Sequence, residues 1–230
     1  MDDGLLACGD DELGWRLGGA AVRVLPCLGG FVGSDLTAGI LATRIHQLDG
    51  LNLLVDLGTN GELVCGGRDG LVCASTAAGP AFEGAGISIG MRAATGAIGA
   101  CTVADGRLVP EVLGGGAARG ICGSGLVDAI AGALDLGWIV PSGRLARGRS
   151  DLPLAAGLAL QGMDVRHLQL AKGAIAAGIH LLCARLGGTP ADPDRIRKLW
   201  ASLPAKEFVM PFSFNSRADA EKILSLRDRL

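Results

Sequence analysis

Apolar and polar positions mark out a hairpin near the middle of the chain. An apolar run from Leu51 to Val55 closes on Asp56, the polar turn Gly58-Thr59-Asn60-Gly61 follows, and a second apolar run spans Leu63 to Cys65. Two strand-length runs joined by a glycine-bracketed turn predict a β-hairpin, and Leu71 to Ala74 predicts a third strand that completes a meander. Upstream, Met1 to Gly19 reads as a short polar helix feeding a strand at Ala21 to Leu25. Pro26, Gly29 and Gly30 then mark a turn, and Ser34 or Asp35 is a suitable N-cap for a helix through Ile45.

Downstream, Ala77 to Ala81 reads as a small-residue loop and Phe82 to Ala94 as a helix with Glu83 in its first turn, where a carboxylate suits the dipole. Ala97 to Val103 and Arg107 to Val112 flank Asp105-Gly106, a hairpin signal. Gly114 to Gly125 is glycine-rich, and Leu126 to Leu136 is amphipathic and helical up to Gly137. The segment Pro141 to Gly157 looks like an exposed connection. Leu168, Ala171, Ile175, Ile179, Leu182 and Leu186 recur at helical spacing, predicting a long helix from Val165 to Leu186, capped by Asp164 and stopped by Gly187-Gly188.

Composition narrows the function classes. With 230 residues, 49% of them apolar, the chain can bury a core as one large domain or two small lobes. A net charge of -2 and 19% charged residues give no reason to expect nucleic acid or an anionic membrane as partner. The apolar runs are broken by Asp, Arg or His, and the acidic start Met1-Asp2-Asp3 does not read as a signal peptide. Seven scattered cysteines without a Cys-x-x-Cys pair fit a reducing, cytoplasmic compartment. His46, His167 and His180 sit singly on helical stretches and share no metal-ligand spacing.

Three clusters carry candidate chemistry. The first is Asp56, Gly58, Thr59, Asn60, Gly61 and Glu62. Glycines let a backbone approach a phosphate closely, the turn offers N–H groups and a hydroxyl, and Asp56 could hold a hydrated Mg²⁺ that bridges to the phosphate. The bland alternative is a tight turn whose Asp and Thr satisfy its own N–H groups. The second is Gly123-Ser124-Gly125 at a helix start, an anion site in its own right, unless Ser124 is simply the N-cap. Ser75, Thr76, Gly79, Pro80 and Glu83 form the third; Glu83 would polarise water or hold magnesium, or serve only the helix dipole.

DLGTNGE from Asp56, STAAGPAFEGA from Ser75, GMRAATGAI from Gly90 and GICGSGLVDAIA from Gly120 together resemble the carboxy-terminal domain of the reductive activators of corrinoid proteins. Gly30-Phe31-Val32-Gly33-Ser34-Asp35 also matches a motif of that family. The Asp-x-Gly-Thr hairpin is similar to the phosphate loops of the wider actin, hexokinase and sugar-kinase ATPases. The resemblance implies an α/β, ribonuclease-H-like fold, with a mixed sheet and helices packed against it. It implies residues 51–199 as the second lobe of an actin-like ATPase domain, 1–50 as a segment leading out of a missing first lobe, and 200–230 as a divergent tail. In the family an electron passes from a [2Fe-2S] ferredoxin domain to a Co(II) corrinoid, and ATP drives the reduction to Co(I).

Carried onto this chain, the resemblance implies ATP and Mg²⁺ as cofactors and Asp56 as the metal-holding residue. Asp56, Glu62 and Glu83 would be catalytic. Gly58, Thr59, Asn60, Gly61, Ser75, Thr76, Gly79, Gly123, Ser124 and Gly125 would bind the nucleotide. Partners would be a corrinoid protein and a second copy in a homodimer. No [2Fe-2S] cluster is expected in this chain, for want of the Cys-x₄-Cys-x₂-Cys spacing. ATPase activity is expected of full-length relatives and expected to be impaired here, with one lobe and the base-binding turn missing. From Trp200 the aromatic content rises and glycines vanish, as a frame shift, truncation or fusion would produce, and Ser216 reads as capping a helix to Leu230. Three alternatives stay open: a small-molecule kinase of the same superfamily; an acyl-CoA dehydratase activator, for which Cys122 beside a helix start would be the bridging cysteine; and a non-catalytic interaction fragment.

Overall fold

The structure, a computed structural model, describes residues 6–9, 12, 14, 15, 18, 19 and 21–187. Among the described residues, ten strands and three α-helices follow one another as β1 (Leu6–Gly9), β2 (Ala21–Val24), α1 (Ser34–Thr43), β3 (Asn52–Leu57), β4 (Gly61–Gly67), β5 (Gly70–Thr76), β6 (Ala97–Ala104), β7 (Arg107–Val112), β8 (Gly120–Ile121), α2 (Gly123–Asp135), β9 (Leu152–Ala155), β10 (Leu158–Leu160) and α3 (Gly162–Arg185). Short 3₁₀ turns occupy Ile45–Gln47 and Pro80–Glu83. The chain is an α/β fold with helices packed against sheets, one of them mixed in direction.

The predicted meander is the antiparallel sheet β3-β4-β5. Its register sets Asp56 opposite Glu62 and Glu62 opposite Ser75. Side chains alternate across a strand, so this sheet has two different faces. Leu54 and Val64 point to one face and pack with Leu36, Ile40 and Ile45, from α1 and the 3₁₀ turn after it. Leu53, Leu57, Leu63 and Cys65 point to the other, into the main core with Ile175, Leu182 and Cys183 of α3. Two glycines allow the close approach of α3: a Cβ on Gly178 would lie 2.5 Å from Leu63 Cδ1, and one on Gly61 would lie 2.9 Å from Ile175 Cγ1.

In the second sheet, order β7-β6-β8, β6 pairs antiparallel with β7 and parallel with β8, and α2 packs on β6. Asp105 and Gly106 take φ of 50° and 70°, the left-handed geometry that a two-residue hairpin turn requires. Gly137, with φ 67°, ends α2 as anticipated.

Several expectations need correction. Leu6–Gly9 is a strand paired with β2, where a polar helix is predicted over Met1 to Gly19; the rest of that stretch lies largely outside the described residues. Helix α1 is preceded by Gly33, so neither Ser34 nor Asp35 is its N-cap, and it stops at Thr43 because Arg44 adopts a left-handed φ of 54°. The helix predicted from Phe82 to Ala94 is one 3₁₀ turn followed by irregular chain. Tertiary packing overrides local propensity there: a Cβ on Gly90 would collide with the Gly84 carbonyl, and Ser88 is tied to the Asp164 carboxylate through its N–H at 2.8 Å and its hydroxyl at 2.6 Å.

Helix α2 begins at Gly123 rather than Leu126, and the glycine-rich loop before it contains β8. The connection Pro141 to Gly157 contains β9. The long helix runs from Gly162 to Arg185, with Gln161 as its N-cap and Asp164 completing a capping box. The helix anticipated from Ser216 to Leu230, with the rest of the tail from Trp200, lies outside the described residues.

Candidate functional site

Asp56 and Glu62 stand side by side at the turn end of the β3-β4 hairpin, on the face that α1 covers further along. Directly opposed cross-strand residues have Cβ atoms about 5 Å apart, so two carboxylates are held close by backbone pairing alone. Asp35, in the first turn of α1, adds a third negative charge nearby. Burial pushes the Asp56 carboxyl above its ordinary value, and the Asp35 charge adds to the push, against a hydrogen bond from the Leu57 N–H. Glu62 is raised chiefly by burial and also by the charges of Asp56 and Asp35; the Ser75 hydroxyl, which donates to Glu62 Oε1 at 3.2 Å, acts in the opposite direction. Crowded carboxylates with raised pKa values draw protons or cations.

The turn at the hairpin tip is exposed at Thr59 and Asn60. Its Gly58 N–H donates to the Asn60 carbonyl at 3.0 Å, closing the turn on itself. The Thr59 hydroxyl donates to Glu83 Oε1 at 2.7 Å. Thus Glu83, carried by the Pro80–Glu83 turn, lies against the tip of the hairpin. Gly79 precedes it with φ 76°, half-buried and with open space where a Cβ would be. The structure therefore brings together Asp56, Gly58, Thr59, Asn60, Gly61, Glu62, Ser75 and Glu83.

Four predicted participants lie elsewhere. Thr76 follows Ser75 by one residue and so faces the opposite side of β5, toward α3; its hydroxyl donates to the Gly61 carbonyl at 3.0 Å and its methyl lies beside Gly178. Gly123, Ser124 and Gly125 are buried at the start of α2. Ser124 is not its N-cap, Cys122 is, and the Ser124 hydroxyl donates to the Gly99 carbonyl at 2.6 Å. A Cβ on Gly123 would collide with the Phe82 carbonyl and one on Gly125 with the Ile98 carbonyl. These glycines are explained by close backbone packing beneath the Glu83 turn. Cys122 is buried too, with its thiol 3.5 Å from the Ile98 carbonyl oxygen, which removes it as a bridging ligand at a surface. Asp35 is the residue that sequence reasoning passed over as a site group, having read it as a cap.

Two adjacent carboxylates are of the donor type that a hydrated magnesium takes. Among the described residues no group of three or more His, Cys, Asp or Glu could hold a metal, whereas Mg²⁺ characteristically takes one or two carboxylates and fills its octahedron with water and phosphate oxygens. Among the described residues no helix is long and apolar enough to cross a membrane.

A family model described as the C-terminal domain of RACo, the ASKHA domain, matches residues 50–198. The chain belongs to this family of corrinoid activators. It is 37% identical over 201 residues to the corrinoid activation enzyme RamQ of Eubacterium limosum, covering 76% of this chain and 34% of that protein. It is 30% identical over a 253-residue alignment to a [Co(II) methylated amine-specific corrinoid protein] reductase of Methanosarcina barkeri, covering 93% of this chain and 46% of the relative. Among solved structures, a reductive activator for corrinoid, iron-sulfur protein superposes with a TM-score of 0.72 at 27% identity, over 97% of this chain and 43% of that one. The chain thus spans less than half the length of each of these corrinoid activators. The α/β architecture is that of an actin-like ATPase lobe of the family.

Proposed function

We propose that the chain is the nucleotide-binding lobe of a reductive activator that returns a corrinoid protein from Co(II) to Co(I) at the expense of ATP. In this reading residues 51–199 are the second lobe, residues 1–50 lead into it and 200–230 diverge. The observation that carries it is the pairing of Asp56 with Glu62 beneath an exposed turn whose Thr59 hydroxyl meets Glu83.

Asp56 would hold hydrated Mg²⁺, which when bound neutralises phosphate charge and orients the triphosphate. The chain's own residues do the rest. The Thr59-Asn60-Gly61 turn offers backbone N–H groups and a hydroxyl to the phosphate oxygens. Glu62, oriented by Ser75, and Glu83 flank that position, where a carboxylate can orient an attacking water. Such catalysis comes from positioning and charge neutralisation. The corrinoid protein is the partner, and a homodimer is the second association proposed.

Isothermal titration with Mg-ATP, beside Asp56→Ala, tests the reading. Heats of binding lost in the variant are the expected result. Indistinguishable weak heats for both proteins would replace the nucleotide-binding reading with that of an interaction module.

A further inference from the structure

Charge is unevenly distributed along the chain. Between Leu136 and Gly187 there are six Lys and Arg against two Asp and no Glu, in a protein of net charge -2. One of those two, Asp164, is buried and committed to Ser88 and to the Gln161 N–H. The other, Asp151, closes the loop that carries most of the arginines.

The fold brings Arg144 and Arg166 together at Ser142, with Arg147 and Arg149 on the loop that carries Arg144. Residues 138–149 form a tight loop, held by the Ile139–Leu145 bridge and by the Ala146 N–H on the Trp138 carbonyl at 2.8 Å. Arg144 donates from Nε to the Ser142 hydroxyl at 3.4 Å, and Arg166 of α3 donates from Nη1 to the Ser142 carbonyl at 3.1 Å and to Gln169 Oε1 at 2.6 Å. Arg149 lies over the Trp138 ring, 3.8 Å from its centroid. All these contacts are to neutral groups, so they set the guanidiniums in place without discharging them. Arg144, Arg147 and Arg166 are exposed.

Arg166 also stands between Met163 and Leu170, at i+3 and i+4 spacing on one side of α3. Those two apolar side chains are 63% and 70% exposed. Preorganised arginines around exposed Met and Leu, with a Trp alongside, have the make-up of a protein docking surface. A polyanion such as RNA would use the cations and leave the apolar pair in water. The partner that fits is an acidic protein surface with an apolar centre.

We propose that this arginine face, residues 138–149 with Met163, Arg166 and Leu170, is where an acidic surface of the corrinoid protein docks. The inference rests on the corrinoid-protein reading above and adds the surface. It also places docking on the helix whose Asp164 holds the Ser88 segment, five residues beyond Glu83.

The test measures affinity of the full chain for a methylated-amine-specific corrinoid protein in its Co(II) state, by biolayer interferometry at several salt concentrations. Arg144→Glu/Arg147→Glu/Arg166→Glu should weaken binding at least tenfold and flatten its salt dependence, while the triple lysine variant keeps most of the affinity. Melting and Mg-ATP titration of each variant establish that fold and nucleotide site are intact. Equal affinity for wild type and charge-reversal variant overturns the surface and leaves the partner reading standing. No binding by the wild type overturns both, and a triple-reversal effect confined to tRNA or phosphatidylglycerol vesicles overturns the protein-docking assignment.

Discussion

Asp56 and Glu62 are the residues where structure and chemistry pull in opposite directions. Burial raises both carboxyls, the Asp35 charge adds to each, and the Asp56 charge adds further to Glu62. A carboxyl whose folded pKa exceeds its unfolded value binds its proton more tightly in the fold, so stability falls as pH climbs from the ordinary carboxyl values through the raised ones. Asp56→Asn and Glu62→Gln should therefore stabilise the protein at neutral pH, by up to about 1 kcal/mol, and remove that decline from a Tm-versus-pH series. The same substitutions should weaken Mg-nucleotide binding, and wild-type binding should itself weaken as pH falls through the raised pKa values, since a metal needs the ionised form. Thr59→Val removes an exposed hydrogen bond to Glu83; a stability change within about 0.5 kcal/mol with a tenfold loss of nucleotide affinity is expected from paired melting and titration.

At the scale of elements, the glycine-flanked start of α2 separates packing from ligand binding. Gly125→Ala would press a methyl into the Ile98 carbonyl, and chemical denaturation should show a loss of about 3 kcal/mol. Ser124→Ala should cost about 1–3 kcal/mol, by leaving the Gly99 carbonyl unpaired, and leave Mg-ATP affinity unchanged. A loss of affinity without loss of stability would instead restore Ser124 as a phosphate ligand. Asp164→Ala breaks both the capping box of α3 and the tie to Ser88; urea denaturation should register about 2–3 kcal/mol.

The elements themselves differ in how far local sequence announces them. The β3-β4-β5 meander, the Asp105-Gly106 hairpin and α3 were readable because turn chemistry and apolar period act within a few residues. Ser75 and Thr76 could also have been separated, since neighbours in a strand cannot face the same side. By contrast, the irregular chain after Phe82 depends on Gly84 meeting Gly90 and on Asp164, more than seventy residues away, holding Ser88. Nor could local pattern bring Asp35 beside Asp56, because that proximity comes from α1 lying across the sheet.

For the whole molecule, two faces of one small sheet do different work. Its α3 side is sealed by close glycine packing, while its α1 side leaves the hairpin end and its carboxylates accessible. The central claim is that this hairpin tip receives a triphosphate and its magnesium. Amide chemical-shift mapping with a non-hydrolysable Mg-ATP analogue tests it most directly. Saturable shifts at Gly58, Thr59, Asn60, Gly61 and Glu83, absent in Asp56→Ala, are predicted; a titration that leaves these amides unmoved, or moves them equally in the variant, would contradict it.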